Sequence, residues 1–204
     1  MSDSPTVYIV DDDDASRESV EMLLDEMKVA YQSFESAESF LESYQGQRPG
    51  CLVTDVRMLE MSGLELQEEL QRRGISLSVV VVTGYADTPV IVRAIKAGAV
   101  TLLQKPARNH ELWDAIREGL AKDVENYEQE LEQKELQSRL ESLTPAENEV
   151  LNMIVDGVPN KTIATRLDIS VRTVEVRRQH IFTKLKADSL AELVQIVMKA
   201  KLSS

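Results

Sequence analysis

The stretch Thr6–Val20, TVYIVDDDDASRESV, decides the fold. Five residues of high strand propensity run directly into four aspartates, Asp11 to Asp14. The chain then takes helical spacing, with Val20, Leu23, Leu24 and Met27 at i, i+3, i+4 and i+7. An apolar strand followed at once by an amphipathic helix is the opening of a βα unit. Four adjacent carboxylates repel one another, so the stretch also asks which cation offsets them.

The same alternation continues outward from this unit. VAYQSF is extended and SAESFLESY helical; CLVT (Cys51–Thr54) is a strand and GLELQEELQRR a helix. VVVV (Val79–Val82) reads as a strand buried on both faces, DTPVIVRAIKAG as a capped helix stopped by glycine, and VTLLQ as the last strand. Five strands alternating with helices predict a doubly wound α/β domain with a parallel sheet covered on both sides. From Asn109 to Ser142 the sequence has no proline, one glycine and many Glu, Gln and Lys. Leu112, Ile116 and Leu120 share a face that could cover the sheet. Beyond them the heptad spacing of Val124, Tyr127 and Leu131 breaks by a skip before Leu136, Leu140 and Leu143. A long helix is expected, serving either as a solvated connector or as a pairing element.

The last 60 or so residues read as four short helices. TPAE (Thr144–Glu147) is a capping box, Gly157 ends that helix, Asn160 is expected to cap KTIATRL, and Ser170 to cap VRTVEVRRQHIFTKL. The predicted division is therefore 1–120 for the first domain, 121–142 for a helical linker and 143–204 for an all-α domain. The net charge of -12 opposes nucleic-acid binding at first sight, but it is unevenly spread. From Leu143 onward nine Lys/Arg face seven Asp/Glu, leaving -14 for residues 1–142. The single cysteine excludes a disulfide framework within one chain. MSDSPTVYIV lacks the pattern of a signal peptide, and no run of about 18 apolar residues occurs. A soluble cytoplasmic protein with no membrane partner is expected.

Asp11 and Asp12, Asp55, Thr83 and Lys105 each follow a strand, at the carboxyl edge where doubly wound sheets bind ligands. Mg²⁺ would relieve the repulsion among the three acids. A carboxylate beside a cation can also attack phosphorus, with the Lys105 ammonium and the Thr83 hydroxyl meeting the charge that develops. VDDD, TDVRM…MSG, VVTGYAD and KP resemble, in order and spacing, the receivers of bacterial two-component response regulators over about residues 5–120. The resemblance implies a flavodoxin-like sheet with Asp55 as phosphoacceptor. It implies Asp11, Asp12, Asp55 and the Arg57 main-chain carbonyl as Mg²⁺ ligands, Thr83 and Lys105 as phosphoryl-stabilising groups, and a cis Lys105–Pro106 bond. The sequence departs from the receiver pattern at three positions: Leu102 stands where an aromatic is usual, Leu59 replaces a common proline, and Ala107 a frequent aromatic.

In the second domain, a helical wheel over Ser170–Lys186 places Val171, Val174, Ile181 and Leu185 toward a core and Arg172, Val176, Gln179 and Thr183 outward. Lys161, Arg172, Arg177, Arg178 and Lys184 could meet phosphates. LTPAENEVL…NKTIATRLDIS…RTVEVRRQHIFTKL…SLAELV resembles the LuxR/FixJ-type output domain, with a helix-turn-helix whose third helix enters the major groove. The resemblance makes Glu175, Val176 and Gln179 the base readers, with Thr173 among the DNA-contacting residues. Arg177 and Glu175 replace a common His and Lys.

Together these imply a response regulator transcription factor. It would take its phosphoryl group from a sensor histidine kinase and bind double-stranded promoter DNA, as a homodimer when phosphorylated, with RNA polymerase a further candidate partner. No enzymatic activity is expected beyond slow self-phosphorylation and self-dephosphorylation. Two other readings stay open on the residues alone. One is a haloacid-dehalogenase-like phosphohydrolase, which DDDD fits formally but which has no place for the second domain. The other is a phosphorylation-independent DNA-binding protein that uses its receiver only to dimerise.

Overall fold

The computed structural model describes residues 5–202. The first four residues, part of the segment expected to carry no signal peptide, lie outside it. β1 (Thr6–Val10), β2 (Ala30–Phe34), β3 (Gly50–Thr54), β4 (Ser78–Thr83) and β5 (Thr101–Gln104) form one parallel sheet in the order β2-β1-β3-β4-β5. Val10 stands opposite Phe34 on one side and Thr54 on the other, and Thr83 opposite Gln104. This is a doubly wound sheet whose order reverses at β1, placing a crevice beyond the ends of β1 and β3.

The period of two in each strand divides the core into two layers. Tyr8, Val10, Leu52 and Val81 face one side, where they pack with Phe40 of α2 (Ala37–Ser43), Leu66 and Leu70 of α3 (Gly63–Arg72), and Ala94 of α4 (Thr88–Lys96). Val7, Ile9, Cys51, Val53 and Val80 face the other, against Leu23 and Leu24 of α1 (Asp14–Met27) and Leu112 and Ile116 of α5 (Asn109–Glu141). Each of these large side chains stabilises the domain by about 1.5–3 kcal/mol on burial. The expected covering role of Leu112 and Ile116 is thus borne out.

α5 is a single helix of 33 residues, and the expected connector 121–142 belongs to it as far as Glu141. Its buried stripe runs Leu112, Ala115, Ile116, Gly119 and on to Asp123. Gly119 is required by packing: a Cβ there would lie 2.6 Å from Cys51 Sγ. Burial first, and then the charge of Asp123, push the Cys51 thiol far above its ordinary pKa. Asp123 is fully buried and accepts from Arg48 Nε at 3.1 Å and Nη2 at 2.9 Å, from Gly50 N at 2.8 Å and from Ser78 N at 3.2 Å. It therefore ties α5 to the starting edges of β3 and β4. The first compact unit extends through Glu128, eight residues past the edge expected from sequence.

The second unit, 129–204, contains α6 (Pro145–Val155), α7 (Asn160–Arg166), α8 (Val171–Leu185) and α9 (Leu190–Leu202). Val150, Ile154, Ile163, Val174, Ile181 and Leu193 lie in its core. The Thr144 capping box and the Ser170 cap form as expected. Asn160 does not cap α7: Pro159 holds the cap position without a side-chain bond, and Asn160 is the first helical residue. Val171 also departs from expectation and is exposed, because the first turn of α8 reaches beyond the core that Val174 enters. Among the described residues no helix is long and apolar enough to cross a membrane.

Candidate functional site

The carboxyl edge of the sheet brings Asp11, Asp55 and Lys105 together. Asp55 follows β3 and its N–H donates to Val10 O at 3.2 Å, which locks the acid beside the end of β1. Lys105 follows β5, where its N–H donates to Thr83 O at 2.8 Å. Its ammonium crosses the edge to donate to Asp55 Oδ2 at 2.8 Å, Asp11 Oδ2 at 2.6 Å and Ser16 Oγ at 3.2 Å. A cavity of about 470 Å³ opens onto these groups. The Lys105–Pro106 bond is cis.

Burial raises the Asp11 carboxyl pKa above its ordinary value, and the neighbouring Asp55 charge adds to this against the opposing pull of Lys105. For Lys105 burial acts against the charged form, but its bonds to Asp11 and Asp55 outweigh burial and raise its pKa. The ammonium is accordingly held charged between two acids. This is one answer to the repulsion that the aspartate run poses.

Other expected residues are placed differently. Asp12 is half-buried and faces another cavity, with Glu35, Glu38 and Met58. Among the described residues no cluster of three or more acidic, histidine or cysteine side chains is assembled to hold a metal. Two of the three expected acids nonetheless converge on one cation, as hard-oxygen donors suited to Mg²⁺. The Arg57 N–H donates to Asp55 Oδ1 at 3.2 Å, and its guanidinium lies 3.4 Å from the centroid of the Tyr85 ring. Thr83 is buried at the end of β4, and its hydroxyl accepts from Tyr85 N at 3.2 Å without bonding to Asp55. Leu102 packs into the sheet core opposite Val81, and Leu59 is exposed.

Gly63 explains the MSG motif. A Cβ at this position would lie 2.0 Å from Asp55 O and 2.7 Å from Thr54 Oγ1. The Ser62 capping box starts α3 directly against the acceptor's backbone, and only glycine fits there.

On α8, Arg172, Glu175, Val176 and Gln179 are exposed together, while Thr173, Arg177 and Arg178 are half-buried. Lys161 at the start of α7 is exposed as well. Arg178 lies 5.8 Å from the Phe182 ring centroid, and the Thr173 and Ser170 hydroxyls share a hydrogen bond of 2.8 Å at the helix cap. Lys184 is turned inward. It donates to Glu147 Oε2 at 2.7 Å and Ser142 O at 2.9 Å, which engages the ammonium that was expected to meet DNA phosphate.

Comparison with known proteins decides what this arrangement belongs to. Residues 7–117 match the response regulator receiver domain, and residues 141–197 the bacterial regulatory proteins of the luxR family. The chain belongs to the response regulators. It is similar to the transcriptional regulatory protein FixJ of Azorhizobium caulinodans, with 44% identity over 98% of this chain and 95% of that protein. The response regulator protein TodT of Pseudomonas putida is 39% identical over 98% of this chain and 89% of its own length. The solved structure of the response regulator StyR is 41% identical, covers 96% of this chain and 99% of its own, and superposes with a TM-score of 0.88.

This response regulator is a transcription regulator whose receiver precedes a LuxR-type helix-turn-helix domain. Sequence reading missed two receiver residues that touch Lys105 and the Asp11 backbone, Ser16 and Arg17. Ser16 Oγ accepts from Lys105, and Arg17 Nη1 donates to Asp11 O at 2.6 Å. The signal available was their helical spacing after DDDD, which puts the first turn of α1 beside the strand end.

Proposed function

We propose that Asp55 accepts a phosphoryl group from a sensor histidine kinase, and that the modified chain binds double-stranded promoter DNA as a homodimer. The observation that carries this reading is the meeting of Asp55 and Asp11 on the Lys105 ammonium. An Asp55 carboxylate oxygen attacks phosphorus, the bond to the donor nitrogen breaks, and that nitrogen leaves with the electron pair. Lys105, already bonded to Asp55 Oδ2, remains as counter-charge to the product. The Thr83 hydroxyl, which uses only its acceptor side toward Tyr85, has its own proton to offer a phosphoryl oxygen.

Asp11, Asp12, Asp55 and the Arg57 carbonyl are the groups that would hold Mg²⁺, which would supply further positive charge for the transfer. In the output domain Glu175, Val176 and Gln179 are the proposed base readers. Lys161, Arg172, Thr173, Arg177 and Arg178 are the proposed backbone contacts. A cytoplasmic location and contact with RNA polymerase complete the reading.

Sedimentation equilibrium in Mg²⁺, with and without beryllofluoride as phosphoryl mimic, tests it on wild type and Asp55→Ala. Wild type alone should shift toward dimer and gain promoter affinity. Equal association of both proteins, or a dimer already bound to promoter without the mimic, would overturn the reading.

A further inference from the structure

We infer that Arg17 is a positioning residue of the acid loop, holding the peptide from which Asp12 departs. The inference rests on the proposed Mg²⁺ site. Asp11 N donates to Phe34 O at 3.3 Å, and three bonds hold its acceptor oxygens: Lys105 holds Oδ2, Asp13 N donates to Oδ1 at 3.0 Å, and Arg17 Nη1 donates to the main-chain carbonyl at 2.6 Å. The first two fix the carboxylate. The third fixes the plane of the Asp11–Asp12 peptide, because carbonyl and following nitrogen lie in one rigid unit. The direction in which Asp12 leaves the chain is therefore set by Arg17.

The guanidinium is itself located from both sides. Its Nη2 pairs with Asp14 Oδ1, and the Arg17 backbone N–H donates to Asp13 O at the N-cap of α1. Asp13 caps that helix through Ala15 N at 2.9 Å. The Arg17 side chain is 16% exposed whereas that of Asp14 is 86% exposed, so the ion pair steers an otherwise enclosed cation. A surface pair at i, i+3 contributes little by itself. The inward bond to Asp11 O distinguishes Arg17 from such a pair.

The two possible effects of this cation have opposite signs. Acting through charge alone, Arg17 repels a dication, and its removal tightens Mg²⁺ binding by a few-fold. Acting by position, it orients a metal-binding acid, and its removal weakens binding by about tenfold or more.

The experiment is calorimetric titration of the full chain with MgCl₂ for wild type, Asp55→Ala, Arg17→Ala and Arg17→Lys, with a urea midpoint for each. Arg17→Ala should bind at least about tenfold more weakly. Arg17→Lys, which keeps one donor for the carbonyl, should return to within about threefold of wild type. Tighter or unchanged binding by Arg17→Ala overturns positioning while leaving the Mg²⁺ site intact, as does failure of Arg17→Lys to rescue when its urea midpoint matches wild type. Absence of Mg²⁺ binding by wild type, or binding indifferent to Asp55→Ala, overturns the proposed site and this inference with it.

Discussion

Replacing Asp123 by alanine should nearly unfold the receiver although the residue lies far from Asp55. The substitution removes the acceptor of both Arg48 bonds and of the Gly50 and Ser78 amides in one step. Deleting one member of a buried ion pair costs about 3–5 kcal/mol. Each orphaned amide adds about 1–3 kcal/mol unless water reaches it. The terms overlap, so a loss of about 4–6 kcal/mol is the reasonable expectation, against a total stability of about 5–15 kcal/mol for a domain. With a urea slope of roughly 2 kcal/mol per molar, the midpoint should fall by about 2–3 M. Trp113, the one tryptophan of the chain, stands in α5 within the receiver, so its fluorescence reports that unit alone. Asp123→Asn, which keeps an acceptor oxygen, should lie between wild type and alanine. Arg48→Met combined with Asp123→Leu should recover part of the loss, since apolar groups then replace both members of the pair. A midpoint shift below about 0.5 M for Asp123→Ala would refute the claim that this carboxylate ties α5 to the sheet.

Gly63→Ala should move Asp55 relative to Lys105, because the added Cβ meets Asp55 O at 2.0 Å. Phosphoryl uptake measured with a labelled donor should fall by about a hundredfold, and an unchanged rate would show that the loop relaxes elsewhere. In the output domain, the Lys184 ammonium holds the Glu147 carboxyl down to about 2, with Thr144 assisting against burial. A depressed carboxyl stabilises the fold above its unfolded value near 4.5, and that contribution is lost as pH falls toward 2. The full shift corresponds to about 3 kcal/mol, which solvent screening at the third-exposed Lys184 reduces to roughly 1–2 kcal/mol. Lys184→Met should therefore flatten the acid dependence of helix melting followed by circular dichroism. It should also leave the salt slope of DNA binding unchanged, while Arg172→Ala lowers that slope by about one; a lowered slope for Lys184→Met would return this lysine to the interface.

The sequence by itself determined the strands, most of the helix starts and the ends at which the acids emerge. Each of these is written locally, in a period of two or 3.6, a capping box, or a carboxylate directly after a strand. That was enough to order Asp11, Asp55, Thr83 and Lys105 along one edge and to identify α8. What it could not determine were contacts between residues remote in the chain. Asp123 sits among charged residues that look like a solvated connector, and only the packing of α5 across β3 and β4 buries it against Arg48, 75 positions away. Lys184 reads as a free cation on the helix, and only the fold brings Glu147, 37 positions away, to its ammonium. Asp12 matches its motif, and only the fold shows that it lines a cavity shared with Glu35 and Glu38. Periodicity states which face of an element is apolar. The direction of a single polar side chain depends on which distant group lies within hydrogen-bonding reach, and tertiary packing alone decides that.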